Sequence, residues 1–126
     1  MIVADTDVLI DFLNDHEPSA GRVASALNRR MLWTTVVSRF EILSGVRSAR
    51  QEEEVLTLLT ALPVLLLDSP SSDKAAEIRR NLERRGKSMA TADTLIAGIV
   101  LRHGAVLMTR NRRHFERVPG LVLAEI

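Results

Sequence analysis

The shape of its apolar runs constrains this chain more than any other feature. The runs 2–4, 31–37, 64–67, 105–108 and 121–123 are short and apolar or β-branched, with none of the polar alternation of a strand that shows one face to water. Between them, apolar residues recur at helical spacing. Val8, Leu9, Phe12 and Leu13 share one face behind a cap at Asp5 or Thr6, and Pro18 suits the first turn of a helix reaching about residue 28. Ser38 starts a third helix. Val55, Leu58, Leu59 and Leu62 line a fourth that Pro63 breaks, with the charge run 51–54 as its solvated first turn. A helix from 69 to about 85 stops at Gly86, an apolar helix over 91–102 stops at Gly104, and a short helix covers 111–115. Strands covered on both faces, alternating with helices, predict a three-layer α/β/α sandwich with a central, mostly parallel sheet. With no repeat and no linker, 1–126 reads as one domain.

Composition narrows the class. Apolar residues make up 46% of the chain and aromatics only 3%, so the core must be aliphatic. No apolar run approaches the roughly 18 residues of a membrane-spanning helix, and the first residues lack a basic stretch followed by a long apolar one. The absence of cysteine excludes disulfides, thiolate nucleophiles and Cys-ligated metals, and makes a cytoplasmic location the expectation. A net charge of +1 predicts no strong global pull on nucleic acid. All 17 basic residues except Lys74 and Lys87 are arginine, which pairs phosphate in two places, although a genomic codon bias explains that ratio equally well.

In an open parallel sheet, sites form beyond the carboxyl ends of strands. Asp5 and Asp7 follow the first strand, Glu41 lies in the first turn after the second, Asp68 follows the third, and Thr109 and Asn111 follow the fourth. Asp93 opens the late apolar helix. Each acid also has a purely structural reading. Asp5 or Asp7 can cap a helix, and Asp7 and Asp11 can form an exposed face. Ser38-x-x-Glu41 matches a capping box, Asp93 can complement a helix dipole, and Asp68 can be a turn or cap residue. Jointly, however, carboxylates in one small volume need a cation to stay ionised. Oxygen-rich, cysteine-free ligation points to Mg²⁺ or Mn²⁺, and such ions activate water at a phosphodiester. His16, His103 and His114 are not paired at ligand spacing and read as surface or cap residues. Ser38 and Ser88 lack a nucleophile-elbow context, and no glycine-rich phosphate loop is present. Asp68 also allows a receiver-type phosphoacceptor module, and Asp5-Thr6-Asp7 a haloacid-dehalogenase-like phosphatase. Neither has its later lysine after a strand.

Four segments carry a family resemblance: MIVADTDVLIDFL (1–13), SRFEILSG (38–45), ATADTLIAGIVLRHG (90–104) and LMTRNRRHFERVPG (107–120). In this order and spacing the chain resembles the PIN-domain family, most closely the VapC-type toxins of toxin–antitoxin pairs. The resemblance implies an Mg²⁺- or Mn²⁺-dependent endoribonuclease that blocks translation, with Asp5, Glu41 and Asp93 as catalytic, metal-binding acids. It gives Asp7, Ser38, Thr109 and Asn111 supporting positions; Arg110, Arg112 and Arg113, with Arg117 alongside, surround the last segment and by that position read as a grip on RNA phosphates, the alternative being an ordinary solvated face. It further implies transfer or ribosomal RNA as target, a homodimer, and a VapB-type antitoxin covering the site and a groove among the early helices. A PIN-like domain reduced to binding is the alternative. Two positions depart from the pattern: Asn111 stands where many members carry a fourth acid, and His114 where an acidic residue is common. Asp7 adds a carboxylate beside Asp5 that would compensate.

Overall fold

A computed structural model describes all of residues 1–126. Five strands, β1 (Ile2–Ala4), β2 (Leu32–Thr35), β3 (Val64–Leu65), β4 (Val106–Met108) and β5 (Val122–Leu123), form one sheet in the order β3-β2-β1-β4-β5, every pair parallel. The helices are α1 (Thr6–Leu13), α2 (Ser19–Asn28), α3 (Val36–Ser44), α4 (Ala49–Thr60), α5 (Ser69–Arg84), α6 (Thr91–Arg102) and α7 (Arg112–Phe115). None is long and apolar enough to cross a membrane.

The strands alternate their side chains between two cores, as period-two geometry requires. Val3 and Leu107 point into a core with Ile78, Leu82, Ile96, Ile99 and Phe115, from α5, α6 and α7. Ala4 and Met108 point the other way, into a core with Val8, Leu9, Val23, Ile42 and Leu58, from α1 to α4. The result is the expected α/β/α sandwich with an aliphatic interior. The chain builds outward from β1 through β2 to β3, then crosses back to β4 on the other side of β1. The strand order therefore reverses between β1 and β4, and a crevice opens there beyond their carboxyl ends.

Two local expectations are corrected. The β-branched run 31–37 does not remain a strand to its end. Thr35 accepts a hydrogen bond from the Ser38 backbone N–H at 3.1 Å and caps α3, so Val36 and Val37 become helical despite their strand preference. The Ser38/Glu41 capping box is therefore not formed: the cap lies three residues earlier, and Glu41 is left for another partner. The run 64–67 pairs only over its first two residues, because β3 is an edge strand; Leu66 is 65% exposed. Gly86 and Gly104 end α5 and α6 with φ of +67° and +59°, a left-handed turn that glycine adopts without strain.

Candidate active site

Asp5 is the hinge between sheet and site. Its backbone N–H donates to the Met108 carbonyl at 2.9 Å, which extends the β1–β4 ladder by one step and carries its side chain into the crevice. There Oδ1 accepts from the Thr6 N–H at 2.8 Å, so Asp5 does cap α1, and Oδ2 accepts from the Thr109 hydroxyl at 2.7 Å. Both the structural and the chemical readings of Asp5 are realised by one side chain that is almost wholly buried. Thr109 is shared, since its hydroxyl also lies 3.4 Å from Asp7 Oδ2 and accepts from the Asn111 N–H at 3.0 Å.

The other acids arrive from both helix layers. Glu41, on α3, accepts from the Thr6 hydroxyl at 2.8 Å. Asp93, in the first turn of α6, accepts from Asn111 Nδ2 at 3.2 Å; that nitrogen also lies 3.1 Å from His114 Nδ1. Asp7 Oδ2 takes the Arg110 backbone N–H at 3.0 Å, and its Oδ1 is buried with no partner. One continuous network thus joins Glu41, Thr6, Asp5, Thr109, Asp7, Asn111, Asp93 and His114. In this arrangement no three acids or histidines stand close enough together to hold one ion. The acids are held by hydrogen bonds from Thr6, Thr109, Asn111 and the Arg110 N–H.

The electrostatics record that crowding. Burial, then the charge of Asp7, pushes the Asp5 carboxyl up to about 7, against the opposing hydrogen bonds from Thr109 and Thr6; Asp93 adds a smaller upward push. Burial also raises Asp7, with the Arg110 N–H opposing. Burial and then Glu41 raise Asp93, and the hydrogen bond from Asn111 opposes them. An upward shift at three neighbouring carboxyls is the mark of a site short of positive charge.

Other predicted residues have different places. Ser38 is fully buried, its hydroxyl unpartnered, and no hydrogen bond joins it to the acids. Asp68 caps α5 by accepting from the Ser71 N–H at 2.9 Å and follows edge strand β3, away from the β1–β4 crevice. A receiver-type phosphoacceptor there is excluded, because Asp68 and the Asp5/Asp7 pair occupy different parts of the rim. Arg110 is tied through Nε to Asp11 at 2.6 Å, and Arg112 through Nη1 to the Ala124 carbonyl at 2.6 Å, whereas Arg113 is exposed. Asp11 is buried, not part of an exposed face. His16 and His103 lie at the surface and at the end of α6, as expected. His114 is exposed as well, but it also touches the network. Its separation by three residues from Asn111, on a short helix, was the available signal.

Fold and crevice together define a class: an α/β/α domain with carboxylates converging at the switch point of its parallel sheet. Residues 2–121 match the PIN domain, and the chain belongs to that family. It is similar to the tRNA(fMet)-specific endonuclease VapC of Shigella flexneri, 29% identical over 121 residues that cover 93% of this chain and 91% of that protein. It is also similar to ribonuclease VapC19 of Mycobacterium tuberculosis, 30% identical over 126 residues, covering 96% and 97% of the two chains. Among solved structures, a DNA-bound VapBC from Salmonella typhimurium superposes with a TM-score of 0.82 at 27% identity, covering 98% and 96%.

Proposed function

We propose that this protein is a divalent-metal-dependent endoribonuclease, the toxin of a toxin–antitoxin pair, which hydrolyses phosphodiester bonds of RNA in the cytoplasm and thereby blocks translation. The observation that carries the reading is the network just described, in which Asp5, Asp7, Glu41 and Asp93, drawn from three distant parts of the chain, meet at one crevice. The residues fit a hard cation. Their donors are all oxygens, Asp7 Oδ1 is buried without a partner, burial raises three of the carboxyls, and neighbouring acids add to the rise at Asp5 and Asp93. Asp5, Glu41 and Asp93 would hold Mg²⁺ or Mn²⁺, with Asp7 beside them. When bound, such an ion supplies an activated water and stabilises the departing oxygen of the phosphodiester.

The chain's own groups prepare that chemistry. Thr6 orients two acids at once, its N–H holding Asp5 and its hydroxyl Glu41. Thr109 fixes Asp5 from the β4 side. Asn111 steadies Asp93 without adding charge. Exposed Arg113 is the residue of its segment best placed to meet RNA phosphate. Arg110 and Arg112 act first as braces, holding the β4–α7 turn to α1 and to the C-terminal segment. Transfer or ribosomal RNA is the target class, with single-stranded loops favoured because their bases can be splayed out. The tRNA-specific name of a relative supports the former.

A groove of about 740 Å³ between α1, α2 and α4 has Phe12, Leu13, Leu27, Leu58 and Ala61 on its walls and Arg50, Glu53 and Glu54 at its rim. An apolar floor with a charged rim suits an amphipathic helix, which supports a VapB-type antitoxin as partner. Phe40, 70% exposed beside Glu41, supports a homodimer as the active unit. The decisive experiment uses the purified protein freed of any partner. RNA cleavage should require Mg²⁺ or Mn²⁺ and stop with chelator, and Asp5→Ala, Glu41→Ala and Asp93→Ala should each abolish it in a folded protein. Normal cleavage by all three variants would end the proposal.

A further inference from the structure

We infer that His114 is a positioning residue that sets the orientation of the Asn111 amide, and through it the Asp93 carboxylate. The inference rests on the ribonuclease reading above. A primary amide is nearly symmetric in shape, so only its hydrogen-bond partners decide which end faces which way. Asn111 Nδ2 donates to Asp93 Oδ2 at 3.2 Å and lies 3.1 Å from His114 Nδ1, a contact that is a second hydrogen bond when that ring nitrogen carries no proton. An NH₂ group has two hydrogens, so these two acceptors saturate it, and Oδ1 is left as the free acceptor at the crevice. The arrangement requires His114 to carry its ring proton on Nε2 and to offer Nδ1 as a lone pair.

Asp93 alone would hold one hydrogen and leave the amide to rock about that bond. The second acceptor makes the hold two-point. The backbone supplies the remaining restraint, since the Asn111 N–H donates to Thr109, the same hydroxyl that holds Asp5. His114 therefore sits at the end of a chain of contacts that reaches Asp93 on one side and Asp5 on the other. Its own exposure, and its place on a one-turn helix, give it no packing task. A role in the fold would not call for an acceptor at Nδ1; a role in orienting Asn111 does.

The test compares His114→Gln, which keeps an acceptor oxygen within similar reach, with His114→Leu, which removes it. The leucine variant should lower kcat for RNA cleavage roughly tenfold with KM little changed, as removal of an outer hydrogen-bond partner commonly does. The glutamine variant should recover most of the loss. Independently of activity, nitrogen-15 NMR of the wild-type protein should find His114 protonated at Nε2 only, and the Asn111 side-chain NH₂ signals should shift in His114→Leu. A protonated Nδ1, unshifted Asn111 signals, or equal cleavage by the leucine variant and wild type would each overturn the inference. The NMR arm needs no RNA, so it separates this failure from a wild-type protein that simply does not cut RNA.

Discussion

The two helix layers bury cores of equal size, twelve residues each, yet they finish in opposite ways. On one face α5 lies so close to α6 that a Cβ on Gly98 would meet Ala75 Cβ and the Ser71 carbonyl oxygen, each at 2.7 Å. On the other face α1, α2 and α4 part to leave a groove of about 740 Å³ with apolar walls. The difference is one of task. The closely packed layer, which has only small hollows of about 120–200 Å³ along α5 and α6, carries Asp93 on α6. The open layer delivers Glu41 from α3 and, in the proposed function, receives the partner. Both faces thus bring an acid to the network, and only one of them also carries the large groove, with Asp5 between them.

If both layers contribute equally to the chemistry, Glu41→Gln and Asp93→Asn should each slow single-turnover RNA cleavage by roughly two to three orders of magnitude, with melting temperature preserved. Unequal losses would show that one layer dominates. A charge in the open groove, Leu27→Arg, should weaken antitoxin binding by about 2 kcal/mol or more in titration calorimetry while leaving RNA cleavage unchanged. Loss of cleavage instead would mean that the groove is not separable from the site. At the close approach of α5 and α6, Gly98→Ala should cost about 1–3 kcal/mol in denaturant unfolding through overpacking, whereas Thr57→Ala on the groove wall should cost less than about 0.5 kcal/mol.

Between the layers, Asp5 should tie stability to pH. Its folded-state value near 7 stands above the ordinary carboxylate value of 3.8, so the folded form holds the proton more tightly. The stability from this group is full below about pH 4 and drains away as pH rises through about 7. In chelator, the wild type should therefore lose more thermal stability than Asp5→Asn between about pH 5 and pH 8, and added Mn²⁺ should narrow the gap. The reverse order would contradict the burial of Asp5 as an acid short of positive charge. The smallest effect is expected at the groove rim. Arg50→Ala breaks the exposed 3.3 Å pair with Glu54 and should change stability by less than about 0.5 kcal/mol.

Much of the fold was legible because burial leaves a periodic trace along the chain. The apolar runs at 2–4 and 105–108 and the helical spacing of Val55, Leu58, Leu59 and Leu62 all fell where the elements lie. The rule that parallel sheets bind at strand ends brought Asp5, Asp7, Glu41 and Asp93 forward as candidates, and they are joined in one network. The pairings themselves were not legible. Glu41 looked like the partner of Ser38 but bonds Thr6, 35 positions away. Asp11 looked exposed but is buried against Arg110, 99 positions away. His114 looked like a surface residue but reaches Asn111.

Sequence by itself therefore determined the element order and the aliphatic two-sided core, which follow from hydrophobic patterning, and it offered the acids of the network among its strand-end candidates, with Asp68 as one that lies elsewhere. Tertiary structure alone decided which layer each acid comes from, which arginines are braces, and that the large groove lies on one face only. Hydrogen bonds are short and directional, so a polar group's partner depends on how elements far apart in the chain are oriented once packed. No local pattern encodes that orientation.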